Sequence, residues 1–410
     1  MTACFLQRLG PMAPKAAMGV LWIVSVGAVG WPGAAHGADA NAKAVWQRIA
    51  RFFKPPAEFA GDFGRYKSPL VFDDGRRVES AADWAKRRRE ILETWHGHMG
   101  RWPAVIEKPS VEYLDTKSRE GFVQKKVLVE IAAGRKWEGY LLVPKGQGPL
   151  PAVLVVYYDA EAGAGLNPKT KLRDFGCQLT RRGFVSLSIG WPRSYTDGEA
   201  ASLQPLSRLA YVAANCCNAL AGLGEVDPKR IGVVGHSFGG KWAMFAMALY
   251  ERFACGAFSD PGVVFDEKRP NVNYWEPWYL GFEPGRTRKR GVPTSQRPRT
   301  GAYKKLFEGG RDLHELHALI APRPFLVSGG AEDQPGRWRA LNHAVAVNKL
   351  LGCENRVAMT NRQGHSPTEE SNEQLYLFFE YFLKHGGAVA AGGGAGKPQG
   401  RDLRDSGSKG

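Results

Sequence analysis

The residues best suited to chemistry form a G-x-S-x-G motif at residues 235–239, with Ser237 at its centre. The apolar run 231–234 before the motif predicts a buried strand, and the Ala-, Met- and Leu-rich run 241–250 after it predicts a helix. A sharp turn between strand and helix needs glycines where the two backbones approach, and it projects the serine hydroxyl outward. The pattern therefore predicts that Ser237 is a nucleophile and that the N–H of Phe238 faces a developing oxyanion.

A nucleophilic serine needs a general base, and His365 has the position expected of one. It lies in the sequence N-R-Q-G-H-S-P, directly after the predicted strand 356–359. Loops at the carboxyl edge of a parallel sheet are where catalytic groups collect. The other histidines of the mature chain precede the strands, lie within helices or flank the nucleophile with the side chain directed away: His96, His98, His236, His314, His317, His343 and His385.

The base in turn needs a carboxylate that fixes its tautomer and supports the imidazolium. Asp333 ends a G-A-E-D loop after a predicted strand and lies between nucleophile and base in chain order. It is preferred to Glu332 because a G-x-x-D loop is expected to hold the aspartate at its apex. Asp260 follows the preceding strand and is the alternative acid.

A second oxyanion donor is expected from the loop after the predicted strand 152–157, and Tyr158 is the candidate. His314 and His317 are spaced i, i+3 and lack a clear third ligand, so a structural helix turn is favoured over a metal site. The sequence contains no phosphate-binding glycine loop and no dinucleotide fingerprint. We therefore expect no metal and no cofactor.

The elements that must position these groups alternate along the chain in the manner of an α/β protein. Three strands with hairpin character come first, and strands then alternate with helices, which predicts a mostly parallel sheet covered on both faces. The predicted strands span residues 111–114, 122–131, 137–143, 152–157, 184–189, 231–234, 256–258, 324–328 and 356–359. The predicted helices span residues 40–53, 80–99, 171–182, 206–223, 241–251, 338–351 and 369–385.

The chain is predicted to hold one domain between two processed or disordered ends. Residues 1–37 combine a basic start, an apolar stretch and small residues, which is typical of a secretory signal peptide and predicts a periplasmic or secreted protein with no stable membrane anchor after cleavage. Residues 38–385 form the domain, with an N-terminal helical extension at 38–110 and a lid-like insertion at 261–312. Residues 386–410 are Gly/Ala-rich and then charged, which predicts a disordered tail.

The net charge of +16 is concentrated in a few places. The predicted signal carries two basic residues, the tail a net two and the segment 286–305 eight, so only +4 remains for the rest of the chain. The basic segment is either a solvated loop or a contact for an acidic polysaccharide. We expect a small-molecule or polysaccharide ester substrate for an exported protein, and we do not expect nucleic acid as a partner.

Two stretches resemble a known family. In residues 227–241, D-P-K-R leads into the serine motif and on to Lys241, as in exported bacterial α/β-hydrolases. The run L-H-E-L-H-A-L-I-A-P-R-P at 313–324 and the following loop 330–333 carry the same resemblance. Over about residues 80–382 the chain is similar to carbohydrate esterases of the glucuronoyl-esterase and acetyl-xylan-esterase type.

The resemblance implies an α/β-hydrolase fold and a serine esterase that acts on ester decorations of plant cell-wall polysaccharide. Lys241 matches a position that contacts the uronate in glucuronoyl esterases. Phe238 departs from that family, which has an arginine there to support the oxyanion. The family also allows the acid at the position of Asp260.

The expected chemistry is a two-step acyl-enzyme mechanism in which His365 activates first Ser237 and then water. One alternative is a peptidase of the prolyl-oligopeptidase type, which is disfavoured because the chain has no room for a preceding propeller. The other alternative is a non-catalytic carbohydrate-binding relative.

Overall fold

The computed structural model describes residues 33–192 and 202–386, and within them one nine-stranded sheet runs through the molecule in the order β1-β2-β3-β5-β4-β6-β7-β8-β9. Each strand coincides with one predicted from the sequence, although most are longer at their ends. The strands are β1 (Val111–Arg119), β2 (Phe122–Ala132), β3 (Arg135–Pro144), β4 (Leu150–Val156), β5 (Val185–Ile189), β6 (Val226–His236), β7 (Cys255–Ser259), β8 (Phe325–Gly329) and β9 (Val357–Asn361).

The direction of the strands agrees with the predicted mixed sheet. The pairs β1–β2, β2–β3 and β3–β5 are antiparallel, and β4–β5, β4–β6 and every pair from β6 to β9 are parallel. Strands β4 to β9 are almost entirely buried because helices cover both of their faces. The main exception is residues 227–230 near the start of β6, which are exposed or half-buried. Their carboxyl ends therefore meet along one edge of the sheet.

Ten α-helices flank the sheet within the described residues. They are α1 (Gly33–Ile49), α2 (Ala81–Met99), α3 (Ala160–Ala164), α4 (Phe175–Arg181), α5 (Pro205–Ala221), α6 (Phe238–Leu249), α7 (Gly301–Glu308), α8 (His314–Ile320), α9 (Trp338–Leu350) and α10 (Glu369–Phe379), the last continued by a π-helical turn at Glu380–Lys384. The sequence did not predict α3 or α7, and of α8 it predicted only a helix turn at His314 and His317. Each has eight residues or fewer, too short for a helical period to stand out.

Apolar side chains pack on each face of the sheet. On one face α2, α5, α6, α8 and α9 contribute to the larger core. On the other face α1, α4 and α10 pack against β4, β6, β7 and β8 in a second cluster that includes Phe175, Leu375 and Phe379. The helical N-terminal segment is part of this second cluster, where the Trp46 ring lies 4.9 Å from that of Tyr381. The α/β class with helices on both faces is therefore confirmed.

The insertion at 261–312 is anchored in the core rather than held above it. The side chains of Tyr274 and Trp275 are fully buried, and both belong to the larger core. Part of its basic charge is neutralised within the segment itself: Arg288 lies 3.5 Å from buried Glu276, and Arg299 binds Glu267 through two nitrogens. Arginines paired in this way are less available to a polyanion than free ones.

Two predicted segments lie largely outside the described residues. They are the signal peptide at 1–37, of which residues 1–32 are not described, and the tail at 386–410, of which only Gly386 is described. Helix α1 begins at Gly33, so its first five residues belong to the predicted signal peptide. Among the described helices, none combines the length and the apolar character that crossing a membrane would require.

Candidate active site

Ser237 lies on a strained turn between β6 and α6. Its backbone has φ +54° and ψ −110°, a conformation that L-residues rarely adopt and that persists only where the surroundings enforce it. A Cβ at Gly235 would lie 2.2 Å from the Gly239 carbonyl oxygen, and a Cβ at Gly239 would lie 2.0 Å from that of Val156. The two glycines of the motif are therefore required by the close approach of strand, turn and helix.

A chain of two hydrogen bonds joins the serine to a buried carboxylate. The Ser237 hydroxyl lies 2.9 Å from Nε2 of His365, and Nδ1 of the same ring lies 2.7 Å from Oδ2 of Asp260. Because a carboxylate only accepts, Nδ1 carries the proton and Nε2 is free to accept from the serine. The Asp260 side chain is 0% exposed, whereas the imidazole is partly open to solvent. This arrangement can deprotonate Ser237 and hold the resulting imidazolium.

The prediction that Asp333 lies against His365 is wrong; its carboxylate accepts hydrogen bonds from the N–H groups of Gly262 and Val263, at 2.8 and 2.6 Å. Oδ1 of Asp260 in turn accepts from the N–H groups of Gly330 and Asp333, at 2.7 and 2.9 Å. Each aspartate thus holds the other's loop, and it is Asp260 whose Oδ2 faces the imidazole. Burial and the nearby Asp260 charge raise the pKa of Asp333 to about 6.

The turn that carries Asp260 explains why it reaches the histidine. Asp260 has φ +49°, a left-handed conformation that aspartate tolerates better than most residues, and it directly follows β7. Strand β7 is the immediate neighbour of β6, which carries Ser237, whereas β8 lies one strand further away. The loop after β8 folds with its N–H groups facing Asp260, so the expected apex position of Asp333 does not occur.

Phe238 and Tyr158, the two residues of the oxyanion hypothesis, are in contact beside the nucleophile. Phe238 is the first residue of α6, so its N–H has no acceptor within the helix. Tyr158 follows β4 by two residues, and its ring stacks on that of Phe238 with centroids 4.5 Å apart and planes at 15°. The Phe238 ring is almost fully buried and also packs against Trp191 and Tyr279. An apolar side chain at this position leaves oxyanion binding to backbone N–H groups.

Lys241 does not occupy the open substrate-binding position expected of it. Its side chain is buried beneath the turn, where Nζ donates to the carbonyl oxygens of Pro261 and Asn271, at 2.6 and 3.3 Å. The ammonium also lies 5.0 and 5.4 Å from the ring centroids of Tyr274 and Tyr279. Lys241 therefore ties helix α6 to the insertion. Burial lowers its pKa from the usual 10.5 to about 8, against the attraction of nearby carboxylates.

We expect this buried lysine to make stability depend on pH in the alkaline range. The unfolded chain holds the Lys241 proton up to about pH 10.5 and the folded chain only up to about pH 8, so the cost of the buried charge is complete below pH 8 and is relieved as pH rises between these values. Relative to Lys241→Met, the wild type should therefore gain up to about 3 kcal/mol of unfolding free energy across this window. Urea unfolding of both proteins between pH 7 and 10 measures it, and a difference that does not change with pH would contradict it.

Two residues that the sequence did not single out surround the base. His236 lies with its ring 4.8 Å from that of His365 and its Nδ1 3.1 Å from the Ser259 hydroxyl. Burial, together with the charge of a protonated His365, lowers the pKa of His236 well below its usual range, so this ring stays neutral. The sequence interpretation directed the His236 side chain away from the serine; it lies instead beside the base.

Arg362 is the second of these residues, and it connects three strand ends to the loop of the base. Its guanidinium donates to the carbonyl oxygens of His365 at 2.6 Å, Ser366 at 2.8 Å and Ser328 at 2.8 Å, and it lies 3.3 Å from the Ser259 hydroxyl. Its position three residues before the histidine is a sequence signal, but only the fold shows which carbonyls it reaches.

The histidine pair in α8 has a structural role. Nε2 of His314 hydrogen-bonds the Lys67 carbonyl at 2.7 Å, and Nε2 of His317 hydrogen-bonds the Val263 carbonyl at 2.8 Å. Burial lowers the pKa of both rings, of His314 to about 3 and of His317 to about 4. In the part of the chain that the structure describes, no three His, Cys, Asp or Glu side chains are grouped to hold a metal ion.

Comparisons with known proteins show similarity to esterases over part of the chain. A family model described as "Esterase FrsA-like" matches residues 109–261, a segment that contains both Ser237 and Asp260. A carbohydrate esterase from an unknown prokaryotic organism is 29% identical over 142 residues, covering 31% of this chain and 29% of that protein. The chain thus spans less than a third of the curated relative it matches.

Solved structures show the fold over a longer part of the chain. A glucuronoyl esterase from Solibacter usitatus superimposes with a TM-score of 0.63 at 20% identity, covering 78% of this chain and 99% of that one. A carbohydrate esterase family 15 glucuronoyl esterase from Caldicellulosiruptor kristjansonii superimposes with a TM-score of 0.56 at 22% identity, covering 81% and 93%. The α/β-hydrolase fold and the resemblance to carbohydrate esterases are therefore confirmed.

Proposed function

We propose that this protein is a serine esterase that hydrolyses a carboxylic ester of a carbohydrate. The observation that carries the proposal is the unbroken chain from the Ser237 hydroxyl through His365 to the buried carboxylate of Asp260. Nucleophile, base and acid in hydrogen-bond contact, on a strained serine turn, are what acyl transfer needs. The carbohydrate part of the proposal is supported by the similarity to carbohydrate esterases.

The reaction follows from the roles of these groups. His365 takes the Ser237 proton as the serine oxygen attacks the ester carbonyl, and the N–H groups of Phe238 and Tyr158 bind the oxyanion. Collapse of this tetrahedral intermediate breaks the bond to the leaving alcohol, which receives the proton from His365. An acyl-serine remains. Water, deprotonated by His365, then attacks the acyl group and releases the acid and free serine. Asp260 accepts from Nδ1 of His365 and holds the imidazole in one tautomer throughout.

The residue after the nucleophile bears on the choice of ester. Glucuronoyl esterases have an arginine at this position to support the oxyanion, whereas Phe238 is packed among Tyr158, Trp191 and Tyr279. A side chain without a donor cannot give charge-assisted stabilisation of the oxyanion. We therefore propose a carbohydrate ester as the substrate without restricting it to a glucuronate ester.

A panel of esters tests the proposal. The purified full chain is assayed on acetylated xylan, a feruloyl ester, a methyl-glucuronate ester and short p-nitrophenyl esters, and labelled with a fluorophosphonate. We expect turnover of at least one carbohydrate ester and labelling of Ser237. A protein that labels but cleaves only peptides would support the peptidase alternative, and absence of both labelling and turnover would support the non-catalytic one.

Export is the remaining part of the proposal. The basic and apolar composition of residues 1–37 supports a cleaved signal peptide, which would place the enzyme where cell-wall polysaccharide is found. N-terminal sequencing of the protein recovered from a bacterial periplasm tests it. A mature protein that begins near Ala38 is the expected result, and an intact Met1 in the cytoplasmic fraction would contradict it.

Arg362 is expected to act as a positioning residue for the base. Arg362→Ala should lower kcat about 100-fold with little change in KM, because the loop of His365 loses its ties to Ser328 and Ser366. Arg362→Lys should recover part of the rate, and added guanidinium should partly rescue the alanine variant.

Arg230→Ala is the matched control for this substitution. Arg230 also ties separate segments by donating to Asp227 and to the carbonyl oxygens of Leu383 and Pro149, but it does so in the amino-terminal part of β6. Equal losses of kcat in the two variants, or no rescue by guanidinium, would mean that Arg362 supports only the fold.

A further inference from the structure

A second cavity opens at the same edge of the sheet as the nucleophile. It has a volume of about 460 Å³ and lies between the beginning of β3, the loop after β4 and the residues after β5. Since β3 is antiparallel to β5, its first residues lie at the carboxyl edge, where Gly139 pairs with Ile189. Its lining includes Trp137, Tyr140, Tyr158, Trp191, Glu138 and Glu161.

Two aromatic residues of the cavity wall also contact the residue next to the nucleophile. Tyr158 lines the cavity and stacks on Phe238, the residue next to the nucleophile. Trp191 also lines the cavity, and its backbone N–H donates to the Tyr158 carbonyl at 3.2 Å. The centroid of its ring lies 5.4 Å from that of Phe238. A molecule bound in the cavity would therefore contact Tyr158 and Trp191, which pack against Phe238 beside the nucleophile.

The lining has the chemistry of a site for an uncharged sugar. Its described residues provide four aromatic rings, the carboxylates of Glu138, Asp159 and Glu161, and one ammonium, that of Lys136. Aromatic faces bind apolar C–H surfaces, and a few placed polar groups fix orientation through hydrogen bonds. Glu138 is paired with Lys126 and Lys136 with Glu112, each at 3.1 Å, so the charge left in the lining is that of Asp159 and Glu161. These carboxylates disfavour an anionic ligand, whereas sugar hydroxyls can donate to carboxylate oxygens.

Individual contacts show which groups remain to meet a ligand. Asp159 caps α3 by accepting from the Ala162 N–H at 2.8 Å, so its role is structural. Glu161 accepts from the Tyr140 hydroxyl at 3.2 Å, which orients a carboxylate and a phenol on the cavity wall. The Tyr158 side chain is 42% exposed although it is a large aromatic residue, which leaves part of its surface open to a ligand.

We propose that this cavity is a subsite for a neutral pyranose unit of the polysaccharide, adjacent to the sugar that bears the ester. The proposal rests on the proposed esterase function for its biological meaning, but binding can be measured without turnover. It assigns the recognition of the polymer to the β3 side of the nucleophile rather than to the basic segment 286–305.

Binding to a catalytically silent full-length chain tests the subsite. Xylohexaose, cellohexaose and mannohexaose are titrated by calorimetry into Ser237→Ala, and into the same chain carrying Trp137→Ala or Glu161→Ala. We expect at least one of these neutral oligosaccharides to bind, with affinity lowered about tenfold by Trp137→Ala through loss of a stacking face and about fivefold by Glu161→Ala through loss of an acceptor.

Tyr113→Ala is the matched control, because Tyr113 is an aromatic residue of β1 that is 49% exposed and does not line the cavity. It should leave oligosaccharide binding unchanged. No binding of any of the three oligosaccharides, equal effects of Tyr113→Ala and Trp137→Ala, or tighter binding of a galacturonate hexamer would each overturn the proposal. Turnover of p-nitrophenyl acetate by the wild type separates failure of the subsite from failure of the esterase function.

Discussion

Replacement of Ser237 by alanine is expected to lower kcat on any ester substrate by at least about 10,000-fold, to near the rate without acyl-enzyme formation. The hydroxyl is the only group of the proposed mechanism that forms a bond to the substrate, and its contact with His365 at 2.9 Å has no substitute nearby. Steady-state kinetics on the best ester of the panel measure the loss, and fluorophosphonate labelling should disappear with it.

The double variant Ser237→Ala/His365→Ala provides the control for this result. The effects on kcat of residues that act as a unit are not additive, so the second substitution should lower kcat little beyond the first. A fold preserved in both proteins by circular dichroism would exclude unfolding as the cause. A Ser237→Ala enzyme that retains more than about a tenth of the wild-type rate would contradict acyl transfer at this serine.

The second large effect distinguishes the two aspartates. Asp260→Asn should lower kcat about 10,000-fold, because an amide facing Nδ1 of His365 favours the wrong tautomer while the fold is kept. Asp333→Asn should lower kcat by no more than about tenfold. It should cost about 1–3 kcal/mol of stability instead, because its amide nitrogen would oppose the N–H of Gly262 or Val263.

Steady-state kinetics and urea unfolding are measured for Asp260→Asn and Asp333→Asn. Each variant is the control for the other. Both side chains are fully buried and both accept backbone N–H groups, so a general effect of losing a buried charge would appear in the two proteins alike. Equal losses of kcat, or a larger loss for Asp333→Asn, would reject Asp260 as the acid.

The sequence was sufficient for the elements of this fold because their signals are local. The nine strands of the described chain lie where apolar and β-branched runs predicted them, and the long helices α2, α5, α6 and α9 begin within three residues of their predicted starts. Ser237 and His365 could be chosen for the same reason. A serine between glycines at a strand–helix junction and a histidine after the last strand are positions defined by chain order alone.

The carboxylate that contacts His365 and the place of Lys241 were decided by the tertiary structure. Asp260 and Asp333 both follow strands that end at the carboxyl edge, and no local pattern states which carboxylate meets the base. Sheet order puts β7 next to β6, and the N–H groups of the two loops hold the carboxylates so that Oδ2 of Asp260 faces His365 while Asp333 faces the loop after β7. Lys241 is four residues from the nucleophile in sequence, yet packing of the insertion over α6 buries it. Contacts between segments far apart in the chain depend on how its layers pack, which a linear pattern does not contain.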